Sequence, residues 1–345
     1  MKRVGYLYEQ IYDFGNLYCA YLKARRDKRF RRETMRFTTN LEENLITLQN
    51  ELIWKTYVPH PAKEFCVRVP KPRVISAPSF RDRVLHHAIH NVIGPLFDRT
   101  FISHSYACRN QKGTHAAVDR FTRYLRKAAA KHDKVYCLKG DISKYFPSID
   151  RGILLEIVKR KVKDPSLLWL IKRVLDANHD ETGIGIGALT SQLFANVYLN
   201  ELDHFVKERL RVKYYIRYMD DFVIVGPDKA ELHSTRQEIE TFLWARLRLK
   251  TNSKTQVLPI SKGIGFLGYR IWPTHRLLKT DAKKRIKKAF KGLMKRYGRG
   301  EIGVAEVKSS VQSYLAHIAH ADSYRFKRTL LKGFVLQRDG KREPD

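Results

Sequence analysis

Apolar residues recur at two spacings along this chain, and the switches between them outline its organisation. Residues 1 to 58 follow a helical pattern, with Arg25-Arg26, Lys28-Arg29 and Arg31-Arg32 packed among aromatics. Pro59, Pro61, Pro70, Pro72 and Pro78 then break that pattern into an extended stretch of short strands. Helical spacing returns through Val84, Ile89 and Val92, and again from Ala116 to Arg126. A strand, Val135-Tyr136-Cys137-Leu138, leads to Asp141. Beyond Ser191, Phe194, Tyr198, Leu202, Val206 and Leu210 fall at i+4 spacing and predict a long helix. Two short apolar runs, Tyr214 to Arg217 and Phe222 to Val225, flank Tyr218-Met219-Asp220-Asp221 and predict a hairpin. Leu232, Ile239, Leu243 and Leu247 line one face of a further helix, and Ile264 to Ile271 reads as a last strand pair. This order predicts an α+β fold with helices on one face of an antiparallel sheet.

From Thr280 onward the pattern is helical only. Ala282, Ile286, Ala289, Leu293 and Tyr297 form one stripe, closed by Gly298 and Gly300. Val304, Val307, Val311, Tyr314, Leu315 and Ile318 form a second. Opposite the first stripe lie Lys283, Lys284, Lys287, Lys288, Lys291 and Lys295. Such a face is either solvated or meets a nucleic-acid backbone.

Charge favours the second reading. Against 35 Asp and Glu stand 67 Lys and Arg, a formal net charge of +32 in 345 residues. A polyanionic partner relieves that self-repulsion, and nucleic acid adds affinity through released counterions. Basic residues are spread along the whole chain, whereas a membrane-surface protein concentrates them in one helix or tail. No signal-peptide block and no run long enough to span a membrane is present, so a cytoplasmic location without membrane association is expected. Cys19, Cys66, Cys108 and Cys137 form no CxxC pair, and His86 and His90 lack a third ligand, which argues against structural zinc.

The chemistry centres on acids. Adjacent carboxylates such as Asp220 and Asp221 raise each other's pKa, and a divalent metal relieves the repulsion. Aspartate also favours turns for its own sake, so the pair alone is ambiguous. Asp141, ending a second strand, changes the balance. Two strands that both present aspartate can converge on a pair of metal ions, as nucleotidyl transfer requires. Magnesium suits such oxygen donors. Phe146, five residues past Asp141, is either a core aromatic or a surface against a nucleotide sugar.

Read in order, these segments resemble the reverse transcriptases. Lys71-Pro72-Arg73 looks like the fingers strand that grips a triphosphate, and Tyr106 to His115, with Arg109 and Lys112-Gly113-Thr114-His115, like the fingers block after it. Gly140-Asp141 through Phe146 and Tyr218-Met219-Asp220-Asp221 are similar to the two metal-binding palm motifs. Asn252-Ser253-Lys254-Thr255 looks like the segment whose lysine lies near the pyrophosphate. Gly265-Phe266-Leu267-Gly268-Tyr269 is similar to the primer grip. The resemblance spans about residues 60 to 272. It implies a right-hand polymerase: a basic N-terminal extension (1–58), fingers (59–134), a palm with part of the fingers (135–275, the insert at about 151–182) and a helical thumb (276–345). It also implies catalysis by Asp141, Asp220 and Asp221 with two Mg²⁺, Mn²⁺ being able to substitute. Lys71, Arg73 and Lys254 would attend the triphosphate, and Phe146 would exclude a 2′-hydroxyl. The implied partners are template RNA, a cDNA or primer strand and deoxynucleoside triphosphates.

One loop departs from the usual family pattern. Ile186-Gly187 stands where most members have Gln-Gly, and Ser191-Gln192 where most have Ser-Pro. These substitutions resemble the reverse transcriptases of diversity-generating retroelements. That subclass copies a template-repeat RNA with errors at adenines (mutagenic retrohoming) and works with a small basic ring-forming accessory protein. An apolar Ile186 cannot make the hydrogen bond an amide would, which removes about 1 kcal/mol of discrimination near the base pair. The adenine bias does not follow from that argument. A retron, group II intron or defence-system reverse transcriptase is the alternative, and a non-catalytic RNA-binding scaffold a third.

Overall fold

The computed structural model describes residues 3–68, 72–177 and 182–338. Lys71, expected at the triphosphate, lies outside them. Four helices open the chain: α1 (Tyr8–Tyr12), α2 (Phe14–Ala24), α3 (Arg32–Thr39) and α4 (Leu41–Ile53). Strands β1 (Lys63–Val67) and β2 (Arg73–Ala77) follow, then α5 (Phe80–Asp98), α6 (Thr114–Ala129) and β3 (Tyr136–Asp141). Next come α7 (Arg151–Lys159), α8 (Pro165–Asp176), α9 (Leu189–His204), β4 (Tyr214–Tyr218), β5 (Asp221–Gly226), α10 (Lys229–Leu247) and β6 (Gln256–Pro259). Strands β7 (Ile264–Phe266), β8 (Tyr269–Ile271) and β9 (Arg276–Leu278) precede α11 (Thr280–Gly298), α12 (Val304–Ala319) and α13 (Tyr324–Lys332).

These strands form three sheets: β1 with β2, a four-stranded sheet in the order β4-β5-β3-β6, and β7-β8-β9. The first and third are antiparallel. The strand pair expected at 264–271 is thus a three-stranded sheet, completed by β9, whose short sequence carries too few alternations to be read alone.

Two compact units divide the chain. The first comprises Met1–Gly113, Lys139–Val223 and His233–Gln256. In it α5 packs against α2 and α9. Ser79 caps α5 by accepting the Asp82 N–H, and Val84, Leu85, Ala88, Ile89 and Ile93 bury its apolar face. Helix α9 is buried almost all round, from Thr190 to Asp203. A helix in that position must satisfy its polar side chains internally. Asn196 and Asp203 do so at the candidate site.

The second unit comprises Thr114–Leu138, Ile224–Leu232 and Val257–Asp345. Helix α6 buries Ala117, Val118, Phe121 and Leu125, and the Phe121 ring meets Phe266 of β7 edge-on at 5.4 Å. Helices α11 and α12 close over Leu293, Ile302 and Val307, with Tyr297, Val311 and Phe334 packed around them. On α11 the buried positions are Ala282, Ile286, Phe290 and Leu293.

Candidate active site

Strand β3 ends at Asp141 beside the start of β5, and a glycine permits the approach. A Cβ on Gly140 would come within 2.1 Å of the Phe222 ring, so only glycine lets that aromatic cross β3. The strands then join through the backbone. The Ile142 N–H donates to the Asp220 carbonyl at 3.3 Å, and the Asn252 N–H to the Asp141 carbonyl at 2.7 Å. The Ser143 N–H donates to the Lys250 carbonyl at 2.9 Å. Asn252 also accepts the Lys254 N–H at 3.0 Å, which tightens the turn that carries Lys254, itself exposed. Three segments far apart in sequence therefore meet: Asp141, the Asp220 turn and the Lys254 turn.

The hairpin is tighter than its sequence implies. Only Met219 and Asp220 lie between the strands, and Asp221 is already the first residue of β5. Asp141, Asp220 and Asp221 are all half-buried. Among the described residues, no group of three or more His, Cys, Asp or Glu side chains is gathered into a ready-made metal cage. Met219 adopts a left-handed conformation, φ +55°. For a residue with a Cβ that costs about 1–2 kcal/mol, so other contacts must hold it.

Arg217, which sequence reasoning treated only as the end of an apolar run, supplies those contacts. Its side chain and that of Asp203 on α9 are fully buried and joined by two bonds, Nε to Oδ1 at 2.7 Å and Nη2 to Oδ2 at 2.6 Å. Nη1 donates to the Met219 carbonyl at 3.0 Å and to Asn196 Oδ1 at 3.2 Å, and Nη2 to Ser105 Oγ at 3.1 Å. Tyr215 completes the cluster by donating to Asp203 Oδ1 at 2.7 Å. Burial alone would lower the Arg217 pKa, but Asp203 outweighs it and holds the guanidinium above its ordinary value. The only sequence signal was an arginine and an aspartate inside apolar stretches.

A second group of expected residues gathers around the 182–187 loop. Gly183 donates to the Ile149 carbonyl at 2.9 Å and Ile184 to the Phe146 carbonyl at 3.0 Å. On its other side the Ile186 carbonyl accepts the Ser76 N–H of β2 at 2.8 Å. Gly187, at φ +137°, has no room for a side chain, since a Cβ would sit 2.7 Å from the Ser76 carbonyl. The loop thus lies between the half-buried Phe146 and the strand that begins with the exposed Arg73. Gln192 is placed differently. It is exposed on α9 and lines a cavity of about 390 Å³ with Lys23, Asn91, Arg99, Arg109 and Asn110, whereas Ile186 is not among that cavity's walls.

In the second unit, Gly265 to Tyr269 form the β7–β8 hairpin. Leu267 (φ +45°) and Gly268 (φ +91°) make its two-residue turn, and the Tyr269 hydroxyl meets His317 at 2.9 Å. On α11, Lys284, Lys287, Lys288, Lys291 and Lys295 are exposed, while Lys283 lies over the Phe326 ring.

Residues 61–271 match the family model described as "Reverse transcriptase (RNA-dependent DNA polymerase)". The chain is 27% identical over 276 residues to the protein YkfC of Escherichia coli, covering 67% of this chain and 72% of that one. It is 24% identical over 304 residues to the group II intron-encoded protein LtrA of Lactococcus lactis, covering 67% of this chain and 50% of LtrA. Among solved structures, a telomerase from Candida tropicalis in complex with a TWJ fragment of telomeric RNA matches with a TM-score of 0.50 at 15% identity. That match covers 82% of this chain and 60% of the telomerase, and it shows the shared right-hand polymerase fold alone.

Proposed function

The chain belongs to the reverse transcriptase family, the RNA-dependent DNA polymerases, and from that premise we propose that it copies RNA into DNA by two-metal nucleotidyl transfer at Asp141, Asp220 and Asp221. The observation that carries this reading is the backbone junction of Ile142 with Asp220 and of Asn252 with Asp141. It brings the two acid-bearing strand ends and the Lys254 turn to one place.

The donor set fits magnesium. All three candidates are carboxylates, and Mg²⁺ is commonly held by one or two carboxylates with water and substrate phosphates rather than by a closed protein cage. Half-buried acids, each leaving part of its surface to water, agree with that habit. Two divalent ions held there would supply activation of the primer 3′-hydroxyl and charge neutralisation at the leaving pyrophosphate.

The chain's own groups do the rest. Arg73, with Lys71 preceding it, neutralises the incoming triphosphate. Lys254 stands ready to protonate the departing pyrophosphate. Phe146, backed by the Ile186-Gly187 loop, presses on the sugar and disfavours a 2′-hydroxyl. Gly265 to Tyr269 hold the primer end, and the α11 lysines take the backbone of the template–primer duplex.

Within the family we place the chain with the diversity-generating retroelements, because Ile186 and Gln192 occupy the two positions that distinguish that loop. In that reading the template is a repeat RNA, adenines are miscopied, and a small basic ring-forming protein assists. The similarity to LtrA supports a second reading, an intron-like enzyme that copies faithfully. Among the described residues, no helix is long and apolar enough to cross a bilayer.

Copying a primed RNA with all four deoxynucleotides and sequencing the product separates the readings. Errors concentrated opposite template adenine support the mutagenic subclass, and uniformly faithful cDNA supports the intron-like one. RNA binding without any cDNA, with Mg²⁺ or Mn²⁺ and with cognate RNA and accessory protein added, would leave only a scaffold.

A further inference from the structure

The buried pair of Arg217 and Asp203 poses a question of purpose. Desolvating two charges is costly, and well-packed apolar residues of similar volume commonly serve stability as well or better. Stability is therefore a weak reason for the pair. Its geometry offers another.

Arginine has five N–H donors in a rigid planar fork. Here all five are used: two on Asp203, and one each on Ser105, Asn196 and the Met219 carbonyl. The backbone of Arg217 is pinned as well, its N–H to the His104 carbonyl and its carbonyl to the Tyr106 N–H, both at 3.0 Å. A guanidinium fixed at both ends can fix what it touches. Of the groups its side chain touches, the Met219 carbonyl is the one that lies in the hairpin turn, at the residue held at φ +55°. The peptide plane of that carbonyl carries Asp220. Asp203 sits on a helix buried on nearly every side, and Tyr215, two residues back on the same strand face, shares its carboxylate.

We infer that Arg217, clamped by Asp203, is a positioning residue that sets the Met219–Asp220 peptide and thereby aims the Asp220 carboxylate. This rests on the polymerase reading above. The pair does not touch substrate. It acts on catalysis by removing alternative conformations of the turn, so that the acids meet their cation without rearrangement.

Two variants test it. In Arg217→Met with Asp203→Leu, both charges leave together and their volume is largely kept, so the chain folds, with a melting temperature lowered by the hydrogen bonds that Tyr215, Asn196 and Ser105 lose. RNA affinity and the KM for deoxynucleotide stay at the wild-type level, whereas kcat falls at least tenfold. The Mg²⁺ concentration for half-maximal activity rises several-fold. Mn²⁺ binding followed by electron paramagnetic resonance weakens by a similar factor, and that readout does not depend on turnover. Arg217→Lys is the second variant, for use should the first not fold. It keeps the charge opposite Asp203 but loses the fork that reaches Met219 at the same time, and the same losses are expected. Wild-type kcat and Mn²⁺ affinity in whichever variant folds would overturn the inference while the polymerase reading stands. Absence of incorporation by the wild-type protein would instead remove the polymerase reading, and the inference with it.

Discussion

The Asp220 turn and helix α11 both carry charge, and they accommodate it in opposite ways. Beneath the turn, a guanidinium and a carboxylate with no exposed surface satisfy one another and four further groups. On α11 five lysines stand in solvent above a buried face of Ala282, Ile286, Phe290 and Leu293. Buried charge is specific, because each donor has one acceptor at one distance and the low dielectric penalises every alternative. Solvated charge is tolerant, because a lysine can reach many phosphates and forms no fixed bond. The first region therefore encodes a geometry, and the second, on the proposed function, an affinity.

Substitutions sharpen that contrast, and the largest effect belongs to the turn. On the proposed mechanism, Asp220→Asn weakens the hold on the cation that neutralises transition-state charge, so incorporation is expected to fall by at least about 10²–10³-fold. RNA affinity, measured by filter binding, stays near wild type. Robust synthesis by a clean preparation of this variant would sink the assignment of the acids. Replacing Lys284, Lys287, Lys288 and Lys291 together by Gln should act the other way round. Turnover at saturating template is kept, while the slope of log affinity against log salt falls by about 4, near one unit per lost phosphate contact. An unchanged slope would show that the α11 face is merely solvated.

Smaller effects probe how tightly the buried region is set. Gly140→Ala forces a methyl into the Phe222 ring, at a cost of about 1–3 kcal/mol read from denaturant midpoints. Trimming Phe222 to Leu in the same chain should recover part of it. His86, buried and hydrogen-bonded to Thr190 at 2.7 Å, has its pKa pushed down to about 4 by burial. Its unfolded form takes up a proton first, so stability is complete above about pH 6.5 and declines as the pH falls towards 4, by about 3 kcal/mol at most. His86→Asn should make that segment of the stability–pH curve less steep, with His87, also pushed down to about 4 by burial, supplying part of the remaining slope. Ile186→Gln is expected to do least, a several-fold gain in fidelity, the equivalent of about 1 kcal/mol. Sequencing of cDNA errors would show it, and an unaltered error spectrum would detach Ile186 from discrimination.

Much of the frame was legible in the sequence. The strand ending at Asp141, the hairpin around Asp220, the i+4 helix after Ser191 and the two C-terminal stripes all appear, since each is a local repeat of hydrophobicity that a linear reading detects. Details that depend on a neighbour were not. Gly140 gave no hint that it faces Phe222, and Gln192, which departs from the family pattern in the same segment as Ile186, lines a cavity whose walls do not include Ile186. Their six-residue spacing crosses from a loop into a helix, where no periodicity relates their directions.

Arg217 marks the boundary most clearly. By itself the sequence determined that an arginine ends an apolar run shortly before the aspartates, that the chain is strongly basic, and that acids close two strands. Only the tertiary structure decided that this arginine is inside rather than out, with partners 14, 21 and 112 residues away. The reason is physical. Periodicity fixes which face of an element is apolar, a property of neighbours in sequence, whereas a buried hydrogen-bond network is fixed by which elements pack together.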